Sequence, residues 1–194
     1  MKRLMEAVVL GAALVAAGGA VAEIPAPTVK SLGHTLAEYR DSRVQVVASW
    51  RWAEAHPRSR WIFLDTWVSP TSNGSLEINR EDISLETPDG QRVDLASQGR
   101  LAENLPDLRM VLMQARVLHD PIAPYFPGVR YFEAFRFFTV PGRHVTFDSV
   151  GLGPMTLAYG DLFFESPTGS FAPGVYTLVI RNRNVNVRLP FALG

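Results

Sequence analysis

Four histidines, His34, His56, His119 and His144, and a scatter of acidic residues are the side chains of this sequence best suited to chemistry. A zinc site on a helix needs two imidazoles one turn apart, or imidazoles backed by thiolates. No two of the histidines have that spacing and the chain has no cysteine, so no metal or cofactor is expected. His119-Asp120 sets an imidazole beside a carboxylate, the pairing that orients a catalytic histidine. The same two residues before Pro121 also suit a simple turn. Glu81-Asp82, Asp89, Asp148 and Asp161 could supply the two carboxylates of a glycoside hydrolase, although each lies beside a turn or charged loop. There is no Gly-x-Ser-x-Gly elbow. Gly151-Leu152-Gly153-Pro154 lacks the Lys-Ser/Thr that would make it a phosphate loop. The reading favours no catalytic residue, with a carboxylate-dependent hydrolase as the enzyme alternative.

The aromatic residues are more suggestive. Trp50, Trp52, Trp61 and Trp67 fall on apolar strand faces, where core packing is their default role. His119 to Phe132 differs: Pro121, Pro124 and Pro127 restrict it, while Tyr125, Phe126, Tyr131 and Phe132 supply ring area without a pattern. A restricted segment loses less entropy on binding, and aromatic residues tend to carry interface energy. His119, Tyr125, Phe126, Arg130, Tyr131 and Phe132 are therefore the candidate protein-contact residues, with Arg130 able to pair with a partner carboxylate. The alternative is that these rings close one end of the core. A carbohydrate-binding module, a second alternative, would need two or three coplanar exposed rings.

These residues sit in a chain laid out for export. Met1-Lys2-Arg3 is basic, Ala7 to Gly19 is apolar, and Ala20-Val21-Ala22 gives the small-x-small cleavage pattern. Residues 1–22 are expected to be a signal peptide cut after Ala22, leaving a periplasmic or secreted protein. At about 24 Å as a helix, the Ala7–Ala22 stretch is short for a membrane span, so membrane association is expected only if the leader is retained. Cleavage leaves 172 of the 194 residues, enough for one domain with its own core. It also leaves 17 basic against 18 acidic side chains, once Lys2, Arg3 and Glu6 go. Such a balance gives no field for nucleic acid.

The elements that must position these side chains read mostly as strands. Residues 23–43 form an N-terminal segment in which Leu32, Leu36 and Tyr39 approach helical spacing, so it is expected to be helical or irregular. From residue 44 to 194 the period is two. Val44, Val46, Ala48, Trp50 and Trp52 share one face of a half-buried strand, with Gln45, Ser49 and Arg51 on the other. Trp61–Val68 reads as a central strand, and Pro88-Asp89-Gly90 as the turn of a hairpin between 83–85 and 93–95. Residues 101–118 are ambiguous: Leu108, Val111, Leu112, Ala115 and Leu118 fit a helix capped by Asp107. The reading leans toward a strand at 110–118 after a helical turn. Further strands are expected within 131–140, over 145–147, 162–164 and 175–180, and over 185–193 as an edge carrying Pro190. Gly151 to Gly160 reads as a loop. Short strands with turn signals between them indicate an antiparallel β-sandwich.

Two stretches carry a resemblance. Glu81-Asp82-Ile83-Ser84-Leu85-Glu86-Thr87-Pro88-Asp89-Gly90-Gln91-Arg92-Val93 runs through a strand, an Asp-Gly turn and a return. Pro127-Gly128 is followed by Phe137-Phe138-Thr139-Val140-Pro141. Both are similar to the telokin-like, immunoglobulin-type domains of exported bacterial proteins, over about Val44 to Phe147. The chain departs from them in an insertion at Ser97–Arg109 and in extra C-terminal strands. The resemblance implies an all-β, immunoglobulin-like sandwich and a role in adhesion, inhibition or assembly, and no functional residue is carried over. The combined expectation is a non-enzymatic interaction protein or accessory subunit of a cell-envelope assembly, with a protein partner there.

Overall fold

Trp61–Pro70 (β4) is the strand around which the molecule is arranged, because its neighbours cover it on both faces and both edges. The structure is a computed structural model that describes residues 26–129, 131–140 and 144–194. The leader expected at 1–22, Arg130 and the Pro141-Gly142 turn lie outside the described residues. β4 pairs with Val44–Ser49 (β3) on one side and Thr156–Glu165 (β10) on the other, both antiparallel. Thr28–Ser31 (β1) and Leu36–Arg40 (β2) extend the sheet beyond β3, and Tyr131–Ala134 (β8) adds parallel to β10. The six strands run β1-β2-β3-β4-β10-β8.

A four-stranded sheet lies against one face of this one, in the order β12-β11-β6-β7. Its strands are Ile83–Glu86 (β6), Arg92–Asp94 (β7), Gly174–Arg181 (β11) and Asn186–Leu193 (β12). Alternation in β12 puts Val187, Leu189, Phe191 and Leu193 inside and Arg188 and Pro190 outside. Pro190 is tolerated there because β12 is an edge. The Phe191 ring meets Trp50 at 5.2 Å, and Tyr39 donates its O–H to the Asn186 carbonyl at 3.2 Å, so the two sheets share one core. Leu76–Asn79 (β5) and Ser149–Leu152 (β9) form a separate ribbon whose Ile78 and Leu152 join that core. The hairpin between β6 and β7 turns where expected, at Gly90, whose φ of +83° suits a residue without Cβ.

Several expectations are corrected. Residues 28–40 form a strand pair rather than a helix. Leu36 and Ala37 are both buried, one on each face, so the period-two signal vanishes where both faces are covered. The strand from Val44 ends at Ser49, and Arg51–Ala55 is a short helix (α1). Gln45 and Ser49, read as a wet face, are 6% and 4% exposed. Residues 98–117 are helical, as Gln98–Glu103 (α2) and Leu105–Val117 (α3). The cap is Ser97, whose hydroxyl accepts from the Arg100 N–H at 3.2 Å, and Asp107 sits inside the first turn of α3. Leu108, Val111, Leu112 and Leu118 face the core as helical spacing requires; exposed Met110, Met113 and Val117 had blurred that stripe. Residues 145–147 form no strand. The expected Gly-rich loop at 151–160 holds the second half of β9 and the first half of β10.

Candidate functional site

The candidate residues gather on the outer face of the six-stranded sheet, the face turned away from the four-stranded one. Register puts Ser49, Asp65 and Asp161 in one row across β3, β4 and β10, and Val47, Trp67 and Tyr159 in the next. Residues 119–129 cross this face as a strap with one 3-10 turn at Ala123–Tyr125. Ile122 and Phe126 are its apolar pegs. They pack with Leu36, Val47 and Leu157 in a small core separate from the main one.

The polar attachments of the strap are made by side chains. His119 Nδ1 lies 2.7 Å from an oxygen of Asp65, and the indole N–H of Trp67 donates to the other oxygen at 2.8 Å. Burial pushes the Asp65 carboxyl above the ordinary carboxylate range, with His119 and Trp67 acting against that shift. Asp120 turns the other way. It accepts from the Ser49 hydroxyl at 2.6 Å and the Arg51 guanidinium at 2.8 Å. Gln45 donates its amide N–H to the Tyr125 carbonyl at 2.9 Å. Adjacency in sequence had paired His119 with Asp120; the fold pairs His119 with a residue 54 positions away.

The expected contact residues thus divide. Phe126 is 5% exposed and belongs to the strap's core, and Tyr125 is half-buried. His119 is exposed at the end of α3, tied to Asp65. Tyr131 and Phe132 are 65% and 58% exposed on β8, an edge strand. Tyr159, also on the surface, was missed because its segment had been read as a loop. A row of rings crosses the sheet from the strap to this edge: Phe126 to Trp67 at 6.4 Å, Trp67 to Tyr159 at 5.3 Å, Tyr159 to Phe132 at 6.4 Å. Exposure rises along that row. The last pair meets edge to face at 75° and the middle pair at 39°, so the exposed rings offer no flat platform for a sugar.

Gly160 lets β8 sit so close. Its φ is +154°, and a Cβ there would lie 3.1 Å from Cβ of Phe135, whose N–H donates to the Tyr159 carbonyl. Of the carboxylates considered for hydrolysis, Asp82 caps the turn after β5 by accepting from the Asn79 N–H, and Asp89 is held in the hairpin turn by Thr87. Asp161 lies opposite Asp65, but both oxygens of Asp65 are already engaged by His119 and Trp67. His34 approaches Glu54 at 3.5 Å and His56 stacks on Trp52. Among the described residues no three His, Cys, Asp or Glu side chains gather as metal ligands.

No family model, curated protein or solved structure matches the chain.

Proposed function

We propose that this chain is an exported, non-enzymatic interaction protein, an accessory or structural subunit of a bacterial cell-envelope assembly, built on an immunoglobulin-like β-sandwich. One observation carries the reading. A sheet edge bears Tyr131 and Phe132 open to solvent, with Met155 and Tyr159 beside them also exposed. Large apolar side chains clustered at a surface mark contact sites, and rings at the centre of such a patch carry a large share of binding energy. His119 is exposed on the outer face of the same sheet, tied to Asp65, and Arg130 directly precedes Tyr131 in sequence. The two packed sheets and the telokin-like motifs support the sandwich, and the leader layout of residues 1–22 supports export to the periplasm or medium.

The test is cross-linking in intact envelopes, comparing the native chain with a Tyr131→Ser/Phe132→Ser variant. The native chain is expected to give a discrete cross-linked species that the variant loses while keeping its melting temperature. Intact mass of the exported form should begin at Glu23. Equal cross-linking by both chains would refute the assignment of the surface.

A further inference from the structure

The six-stranded sheet ends in two strands that fit each other. Successive antiparallel pairings from β10 through β4, β3 and β2 to β1, and the parallel pairing of β10 with β8, make β1 and β8 point the same way. Their backbone groups alternate in matching phase. On β8, Tyr131 and Phe135 donate to the Met155 and Tyr159 carbonyls, so Phe132 and Ala134 turn their N–H and C=O outward. On β1, Leu32 donates to Leu36, so Lys30 and Thr28 bond to β2 while Val29 and Ser31 turn outward.

The faces match in the same register. Val29 shares the inner face with Tyr39, and Tyr131 lies on that face of β8; Lys30 and Phe132 both lie on the outer face. Placing Lys30 of a second copy opposite Phe132 brings Val29 opposite Tyr131. The Phe132 N–H then meets the Val29 carbonyl, the Ser31 N–H meets the Phe132 carbonyl, and the Ala134 N–H meets the Ser31 carbonyl. A one-residue shift breaks both the face and the bonding phase. A shift of two in the direction that sets Thr28 against Phe132 leaves Val29 facing Glu133. In the matched register an ammonium lies over a ring and an apolar pair, 49% and 65% exposed in the single chain, is covered.

We infer that β8 takes β1 of a second copy of this chain by parallel strand addition, so that copies join head to tail through one continuous sheet. The inference rests on the proposed function and names the partner at the same aromatic edge. Such an interface uses two different surfaces, so it propagates as an open chain of copies unless the rotation closes a ring. It also gives Lys30 a role opposite to the usual one. A lysine on an edge strand ordinarily blocks edge pairing; here it makes the contact.

Sedimentation velocity of the purified protein over a concentration series tests this, together with amide exchange at Phe132 and Ala134. The native chain is expected to associate, with slower exchange at those two amides as concentration rises. Lys30→Thr and Phe132→Ser should each weaken association about tenfold or more without lowering the melting temperature. A single monomeric species throughout, or association strengthened by Lys30→Thr, overturns the inference. If the monomeric chain still cross-links to another envelope protein through Tyr131 and Phe132, the proposed function stands and only its partner is wrong.

Discussion

Phe126 and Phe132 lie six positions apart and have opposite roles, so truncating each one separates packing from display. Phe126 is 5% exposed and packs against the side chains of Leu36, Val47, Ile122 and Leu157, with Trp67 stacked at 6.4 Å. Buried Phe→Ala changes cost about 3 to 5 kcal/mol. The walls of this small core include a strap that, among the described residues, makes no backbone-to-backbone bonds to the sheet and can settle into part of the space, so the low end of that range applies. Phe126→Ala should therefore cost about 3 kcal/mol, or about 6 to 12 °C of melting temperature for a domain of this size. Phe132 is 58% exposed on an edge, and Phe132→Ala should stay within about 0.5 kcal/mol. Urea unfolding with equal m-values for the three proteins reads both numbers. A cost below about 1 kcal/mol for Phe126→Ala would mean that the strap is not seated as described. A cost near 3 kcal/mol for Phe132→Ala would make that ring part of the core and remove the proposed contact surface.

Two further outcomes concern the same face. Asp65 has its carboxyl raised by burial, so its protonated form favours the folded state: the associated stability is present below the ordinary value of 3.8 and is lost as pH rises through the raised one. Relative to Asp65→Asn, the native protein should therefore lose stability between acid and neutral pH. Denaturation midpoints across that window check the sign, and a gap that moves the other way would show that the His119 pairing outweighs desolvation. Gly160→Ala should cost about 1 to 3 kcal/mol, since its Cβ would press on Phe135 where φ already disfavours a side chain. Faster amide exchange along β8 should accompany that loss.

Sequence alone located the strands that have one dry and one wet face, or an apolar run between clear turns. β4, β11 and β12 and the hairpin at Gly90 fall where expected. It failed where both faces are covered and no continuous apolar run marks the strand. β2 shows no alternation because Leu36 meets the strap while Ala37 meets the other sheet, and the outer residues of β3 are covered by the same strap. Helix α3 was obscured by three exposed apolar residues that mimic a strand's continuous run. Within the site, the prolines and rings singled out 119–132, but the division between peg and edge was not legible. That division depends on β10 arriving beside β4, a pairing of distant residues that carries Tyr159 and orients β8. The partner of His119 was hidden for the same reason.

That central pairing also sets an order of events in time. β4 and β10 align Trp61 with Glu165 and Val68 with Ala158, residues about a hundred positions apart. A chain emerging from its N-terminus therefore presents β4 with one side unpaired until most of its length is out. Loop closure over that span is slow, and no cysteine is present to hold an early intermediate. During that interval the apolar run at 61–64 and the rings of Trp67 and Phe126 are open to whatever holds the nascent chain. Folding of this protein is thus timed by its last third, and a C-terminal truncation before residue 165 should leave a chain that stays bound to chaperones.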